Sequence, residues 1–546
     1  MAVTSETPHV TGQHLRRDVG LVSLTFISLG SIIGSGWLLG ALTAAQVAGA
    51  ASLISWILGG VIIAILALIH AELGTAYPVS GGTARFPHFV FGAFPGFTAG
   101  WAAWLQAVSI APIEVEASLS YLNNQWHGLV TSGGLLTGTG LVVGAVLMLL
   151  FTFINIMGVK WLAETNRVTV VWKVAIPVLT VIVLLFVSFH ASNFNAGGGF
   201  FRYGAHGIFA ALPAGVVFAL EGFEQAIQVG GEARNPQRDM PRAVIGSMII
   251  GTLIYILLEI AFIGALNPLN LIHGWSSPIG GVGNYGPYAT LATGLGVGWL
   301  ATLLYIDAFI SPAGTGLVYV GTSSRLSYAL GRNNYLPAVD QVSRRGVPFV
   351  SIILAFIVGL FFFLPFPSWQ SLVGLVTSAT AIMYAFAPIS LGALRKMDPD
   401  RPRPYRLPAA ALLSPLGFIS ANLIVYWSGW DVVWKLGAAM GVGFLLFFTA
   451  RSLQKAGERP ILVWRTSWWV LVWLAGQVLI SFLGRYHSPL TSPVLPEWID
   501  LLVVAAFSLV IYYLAVASTL STSMVATLVE AEAQEAAVAP ALSVAG

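Results

Sequence analysis

Six carboxylates and one ammonium lie in runs so apolar that charge is out of place. Glu221 and Glu224 flank Gly222 in "ALEGFEQ", Glu114 and Glu116 are two apart in "SIAPIEVEASL", Glu259 and Asp307 stand in other apolar runs, and Lys173 interrupts "NRVTVVWKVAIPVLT". A charged side chain in a bilayer costs about 2.5 kcal/mol or more on insertion scales, so such groups mark proton relays, ion paths or ligand contacts. Lysine, unlike arginine, can exchange its proton inside a protein. The chemistry in prospect is therefore ion and proton handling. Glu114 and Glu116, about 200° apart on an ideal helix, cannot both face one cavity.

Backbone can serve the same chemistry. "SLGSIIGSGWLLG", Ser28 to Gly40, carries Gly30, Gly34, Gly36 and Gly40 inside an apolar run. Two readings are open for it. One is close helix packing through the small pair Gly30 and Gly34. The other is a span that unwinds at its middle, which lipid permits only where the freed N–H and C=O groups face protein or a water-filled cavity. A second interrupted span, around Glu221 and Glu224, favours unwinding, because a pair of broken spans at corresponding places in two halves points to a transporter binding site.

The elements that must carry these groups are membrane helices. The chain has 546 residues, 57% hydrophobic and 9% charged, with a mean hydropathy of +0.82, far from the roughly 25% charge of soluble domains. Apolar runs predict about fourteen spans, near 20–42, 50–71, 91–121, 138–158, 168–189, 208–230, 243–266, 290–323, 348–366, 369–394, 409–428, 431–450, 461–484 and 499–520. Of the lysines and arginines, all but Arg202, Lys435, Arg485 and the intramembrane Lys173 fall in loops on one side, which predicts cytoplasmic termini. The first twenty residues lack the pattern of a signal peptide. Without cysteine the chain has no disulfide or thiolate metal site, its nine histidines form no metal-binding pattern, and a net charge of +3 suggests no nucleic-acid surface.

The second interruption falls in span 6, so the repeat unit is five spans, and an odd number inverts the halves. The glycine-rich first span, "AELGTAYPVSGGTARFPHFVFG", "FEQAIQVGGEARNPQRDMPRA" and "TSSRLSYALGRNNYLP" together resemble the amino acid–polyamine–organocation transporter superfamily, over span 1 to "RPRPYRLP". "IIGSGWL" and the two last spans are similar to its bacterial proton-coupled aspartate and glutamate permeases. The resemblance implies an all-α polytopic membrane protein with a LeuT-type 5+5 inverted repeat and broken spans 1 and 6. The chain then divides into a cytoplasmic tail, 1–18, two five-span repeats, 19–190 and 207–397, four additional spans, 409–520, and a disordered cytoplasmic tail, 528–546. The expected location is the cell's inner (plasma) membrane.

Under that resemblance the substrate lies between the breaks. Ser31, Ile32, Gly34, Ser35 and Gly36 of span 1 and Phe218, Glu221 and Gly222 of span 6 are the expected binding residues. N–H groups at Ser35 and Gly36 would hold a carboxylate at a half-helix N-terminus, and carbonyls of Ile32, Phe218 and Glu221 would take the ammonium. Lys173, Glu224 and Glu114 are the expected ion-coupling groups. Lys173 would stand in for the sodium of sodium-coupled relatives, or it snorkels to the interface. Glu224 would brace the break or relay protons. Glu221 meets a cationic group or a proton, or else faces a vestibule. The implied ligands are an amino acid and a co-transported proton, with no cofactor, metal or chemistry on the substrate. The surplus of acids over Lys173 alone leaves open a carrier of polyamines or other organic cations.

Overall fold

In the computed structural model, residues 19–538 are described, apart from 80, 133, 158, 281–285, 338, 340, 342–347, 365–367 and 497. The tail 1–18 and the loop arginines Arg344 and Arg345 lie outside the described residues. The described chain is helical, with two isolated bridges, Val19 with Ala233 and Val130 with Leu136.

Span 1 is two helices, α1 (Leu21–Ile32) and α2 (Ser35–Ala48), parted at Ile33 and Gly34. Span 2 is α3 (Ser52–Ala76), followed by a short helix, α4 (Gly82–Phe91). Spans 3 to 5 are α5 (Ala93–Leu122), α6 (Gly138–Met157) and α7 (Val159–Val187). Span 6 begins as α8 (Gly204–Ala211), passes through a π turn into α9 (Val217–Leu220), breaks, and resumes as α10 (Glu224–Gln228). Then come α11 (Pro236–Ala265), the short α12 (Pro287–Gly294), α13 (Gly298–Arg332), α14 (Phe349–Phe362) and α15 (Trp369–Met397), with α11 and α13 to α15 supplying spans 7 to 10. Four more spans follow, α16 (Ala410–Trp427), α17 (Trp430–Leu453), α18 (Trp468–Leu483) and α19 (Ile499–Ala517). Nine helical stretches among the described residues are long and apolar enough to cross a bilayer. With α5 and the shorter apolar helices of spans 1, 6, 9 and 13 they account for every expected span.

Contacts repeat when each span is exchanged for the one five places on. Span 1 packs on span 7 as span 6 packs on span 2; spans 3 and 4 pair as 8 and 9 do; span 2 meets span 10 as span 7 meets span 5. The self-related pairs, α3 with α11 and α5 with α13, lie at the centre of this symmetry. The extra spans attach through α15, which packs on α16, α17 and α19. Burial follows from that position: 94% of the apolar window of α15 is enclosed, against 28% for α6, whose Val142, Val146, Leu149 and Phe153 face outward where lipid would lie.

One tail expectation needs correction. The 528–546 segment, expected to be disordered, is helical as far as Val538, within α20 (Thr522–Val538). Its alanines and glutamates are strong helix formers, and Val525 and Val529 bury one face of it against the bundle.

At the basic end of the bundle Glu72, fully buried near the end of α3, takes Arg395 Nε at 2.9 Å and Nη2 at 2.5 Å, and accepts the Leu407 N–H at 2.7 Å. Arg403 approaches the same carboxylate at 3.3 Å. A single buried charge thus ties span 2 to span 10 and to the "RPRPYRLP" loop. Glu72→Gln leaves two guanidinium groups without their counter-charge, and a broken buried ion pair costs about 3–5 kcal/mol. A clear fall in the melting temperature of the purified protein is expected; an unchanged melting temperature would show that the network is dispensable.

Candidate functional site

The span 1 break is short and specific. Ile33 still donates its N–H to Leu29, but Gly34 bonds back only to Ile32 at 3.2 Å and takes an extended turn, so the chain re-enters helix at Ser35 in a new direction. Its lack of a side chain is what lets neighbours approach. A Cβ at Gly34 would lie 2.6 Å from Glu114 Oε1 and 3.0 Å from Thr315 Oγ1. The Ile32 carbonyl, released from the ladder, accepts the Tyr255 hydroxyl at 2.8 Å.

Span 6 breaks at Glu221 and Gly222. Gly222 has φ +121, and a Cβ there would meet Ile32 N and Ser31 C at 2.7 Å, so the two breaks touch backbone to backbone. Ser28 adds a hydroxyl bond to the Phe223 carbonyl at 3.1 Å. Glu224 holds the turn: Oε2 accepts the Gly222 N–H at 2.9 Å and the Tyr384 hydroxyl at 2.5 Å, while Oε1 accepts Gln225 Nε2 at 3.2 Å and the Tyr319 hydroxyl at 3.3 Å. Glu221 turns the other way. Its Oε2 accepts the Thr380 hydroxyl at 2.8 Å, and its buried Oε1 has no hydrogen-bond partner among the described residues.

Lys173 reaches the first break from α7. Its Nζ donates to the Gly30 carbonyl at 2.7 Å and to Thr315 Oγ1 at 2.5 Å, and the side chain is buried. Snorkelling is thereby ruled out. An ammonium here satisfies a carbonyl near the end of α1, the negative pole of that half-helix.

All eleven residues expected from the sequence line this one region, and every one is buried. Ser31 keeps its hydroxyl on Ile27 and touches Gly222 through its backbone. Phe218 stands edge-on to Trp369, ring centres 5.6 Å apart. Two details differ from expectation. The Ser35 N–H, expected to be open to a ligand, donates to Glu114 Oε2 at 2.8 Å, because α5 carries a carboxylate to the positive end of α2. The Ile32 and Phe218 carbonyls, expected to be free, are already engaged: Ile32 accepts both the Gly34 N–H and the Tyr255 hydroxyl, and Phe218 accepts the Glu221 N–H at 3.3 Å, keeping a second lone pair.

The remaining buried acids lie outside this region. Asp307 accepts the indoles of Trp37 at 3.1 Å and Trp172 at 2.7 Å and the Ser311 hydroxyl, so Trp37 serves as a bonded strut. Glu259 holds Trp56 Nε1 at 3.0 Å and the Ser52 hydroxyl. Glu116, on the other face of α5 from Glu114, is buried with both oxygens unbonded among the described residues. Thr315, Tyr255, Thr380, Tyr384 and Trp369 were missed by sequence reasoning. A neutral hydroxyl or indole in an apolar helix carries no cost that singles it out, so only their partners reveal them.

The family described as "Amino acid permease" matches residues 19–473. The chain is 37% identical over 519 residues to the "Glutamate/serine transporter AimA" of Bacillus subtilis (strain 168), covering 93% of this chain and 95% of that protein. It is 36% identical over 505 residues to the "Aspartate-proton symporter" of the same organism, covering 92% and 96%. A "Branched-chain amino acid permease BcaP" from that organism is 24% identical over 458 residues, 80% of this chain and 93% of the relative. With its two facing helix breaks and a match across most of its length, the chain belongs to the amino acid permease family of the amino acid–polyamine–organocation superfamily.

Proposed function

We propose that this chain is a proton-coupled amino acid symporter of the cell membrane, with both termini cytoplasmic, carrying its substrate by alternating access and doing no chemistry on it. The observation that carries this reading is the Lys173 ammonium lodged on the Gly30 carbonyl beside the break in span 1. A protonatable cation at that place links the folding of the break to proton occupancy. The names of the two relatives above, a glutamate/serine transporter and an aspartate–proton symporter, supply the substrate class and the ion.

In this reading the substrate lies between the breaks. The carboxylate binds at Ser35 and Gly36, where the first N–H groups of α2 have no partner within the helix. Gly34 leaves room for it. Ser31, Ile32, Phe218, Glu221 and Gly222 meet the ammonium and the backbone of the substrate. Glu224, with both oxygens bonded, acts as the brace of the span 6 turn. Spans 1, 2, 6 and 7 rock against spans 3, 4, 8 and 9, within the repeats 19–190 and 207–397.

A second reading, transport of an organic cation, is favoured by one observation: Glu221 Oε1, buried and unbonded, is a ready acceptor for an ammonium. A thermal-shift screen of the purified protein against the common amino acids and polyamines separates the two, since a ligand of the folded state raises the melting temperature by mass action. Stabilisation by one or a few amino acids is expected, followed by uptake of the same compounds into proteoliposomes. Stabilisation by polyamines alone would overturn the first reading.

A further inference from the structure

The carboxylate end of the substrate site already holds a carboxylate. Glu114 Oε2 accepts the Ser35 backbone N–H at 2.8 Å, and Trp369 Nε1 donates to the Ser35 hydroxyl at 2.9 Å. The N–H comes at the first turn of the fourteen-residue α2, at its positive end. Gly34 completes the cradle, since any side chain there would displace Glu114 Oε1. Glu114 is fully enclosed, and Lys173 lies within electrostatic reach of it.

We infer that Glu114 is a resident carboxylate that occupies the substrate's carboxylate position when the site is empty and is displaced by the incoming amino acid. The inference rests on the amino acid permease reading and gives Glu114 a different part from that of a proton relay. It follows from the identity of the two groups: the Ser35 N–H cannot serve two carboxylates, and two negative charges side by side in a low-dielectric interior repel strongly. Loading therefore forces Glu114 off Ser35, and Lys173 is the cation to which it can turn. A protein that supplies its own carboxylate also makes a place for an amine that has none, because the ammonium of such a ligand finds Glu114 where an amino acid would carry its own acid group. The acidic surplus of the site and an amino acid substrate are then compatible.

The test is a crossover. Binding to the purified parent protein and to Glu114→Gln is measured by thermal shift and by calorimetry for L-serine with ethanolamine and for L-aspartate with β-alanine, each second compound being the first without its α-carboxylate. The neutral amide holds Ser35 weakly and adds no charge, so the amino acid is expected to bind on the order of tenfold tighter, the worth of one charge-assisted hydrogen bond. The amine is expected to bind more weakly by a similar factor. Loss of binding for both ligands, or no change for either, overturns the inference and makes Glu114 a structural brace. Should Glu114→Gln not yield folded protein, Glu114→Asp draws the charge back from Ser35 by one methylene and should move the amino acid in the same direction to a smaller extent; no tightening there overturns the inference as well. If the parent protein binds no amino acid in the preceding screen, it is the transport reading that fails.

Discussion

Lys173→Ala is expected to abolish accumulation of substrate in proteoliposomes and to leave any residual flux indifferent to a pH gradient. The ammonium is buried, donates to Gly30 and Thr315, and lies within electrostatic reach of Glu114 and Asp307. Removing one member of a buried charge network costs about 3–5 kcal/mol, because the groups left behind remain desolvated. Thr315 still donates to Gly30 at 3.3 Å, so the break keeps one support and the protein should remain folded. Lys173→Arg separates charge from proton exchange: the guanidinium stays protonated and is larger, so it too should lose the response to a gradient. Uptake under inside-alkaline and symmetric conditions reads both variants. A Lys173→Ala protein that responds to the gradient as its parent does would sink the coupling role.

Gly222→Ala should be nearly as damaging, for a reason that involves no charge. At φ +121 an alanine is strained by about 1–3 kcal/mol. Its methyl group would sit 2.7 Å from Ile32 N and Ser31 C, backbone atoms that cannot swing aside. Overpacking adds about 1–3 kcal/mol more. The two breaks must separate, and with them the site, so transport should be lost and the melting temperature lowered. Gly246→Ala is the control, with nothing within 4 Å of its Cβ, and it should be neutral or slightly stabilising. Equal behaviour of the two variants would remove the case for contact between the breaks.

The sequence announces the breaks and hides what fills them. Four glycines in an apolar run and two acids around Gly222 violate the rules of a lipid-facing helix, and the violation is legible because its cost is high. Lys173 is visible on the same grounds. The partner of Ser35 is not: Glu114 lies in span 3, 79 residues away, and nothing in either segment says that α5 crosses α2 at that height. The helical tail was obscured by composition, since alanine and glutamate suit both a solvated coil and a helix. Thr315 and Tyr384 escape for want of charge, although they hold Lys173 and Glu224 in place.

One modest contact changes how the breaks work together. Val19, just ahead of α1, pairs with the strand-like turn after α10, through Val19 N to Glu232 O at 3.1 Å and Arg234 N to Val19 O at 2.8 Å. At the far end Gly36 lets α2 rest on Ala219 of α9, where a Cβ would be 2.8 Å from the Ala219 Cα. The α1 and α10 halves of spans 1 and 6 are stapled together, and the α2 and α9 halves are pressed together. They form two double levers joined by a pair of neighbouring hinges, so neither hinge can bend alone. Under the proposed function, an amino acid held between the hinges would act as a wedge, its girth setting the angle between the levers before its side chain is read at all.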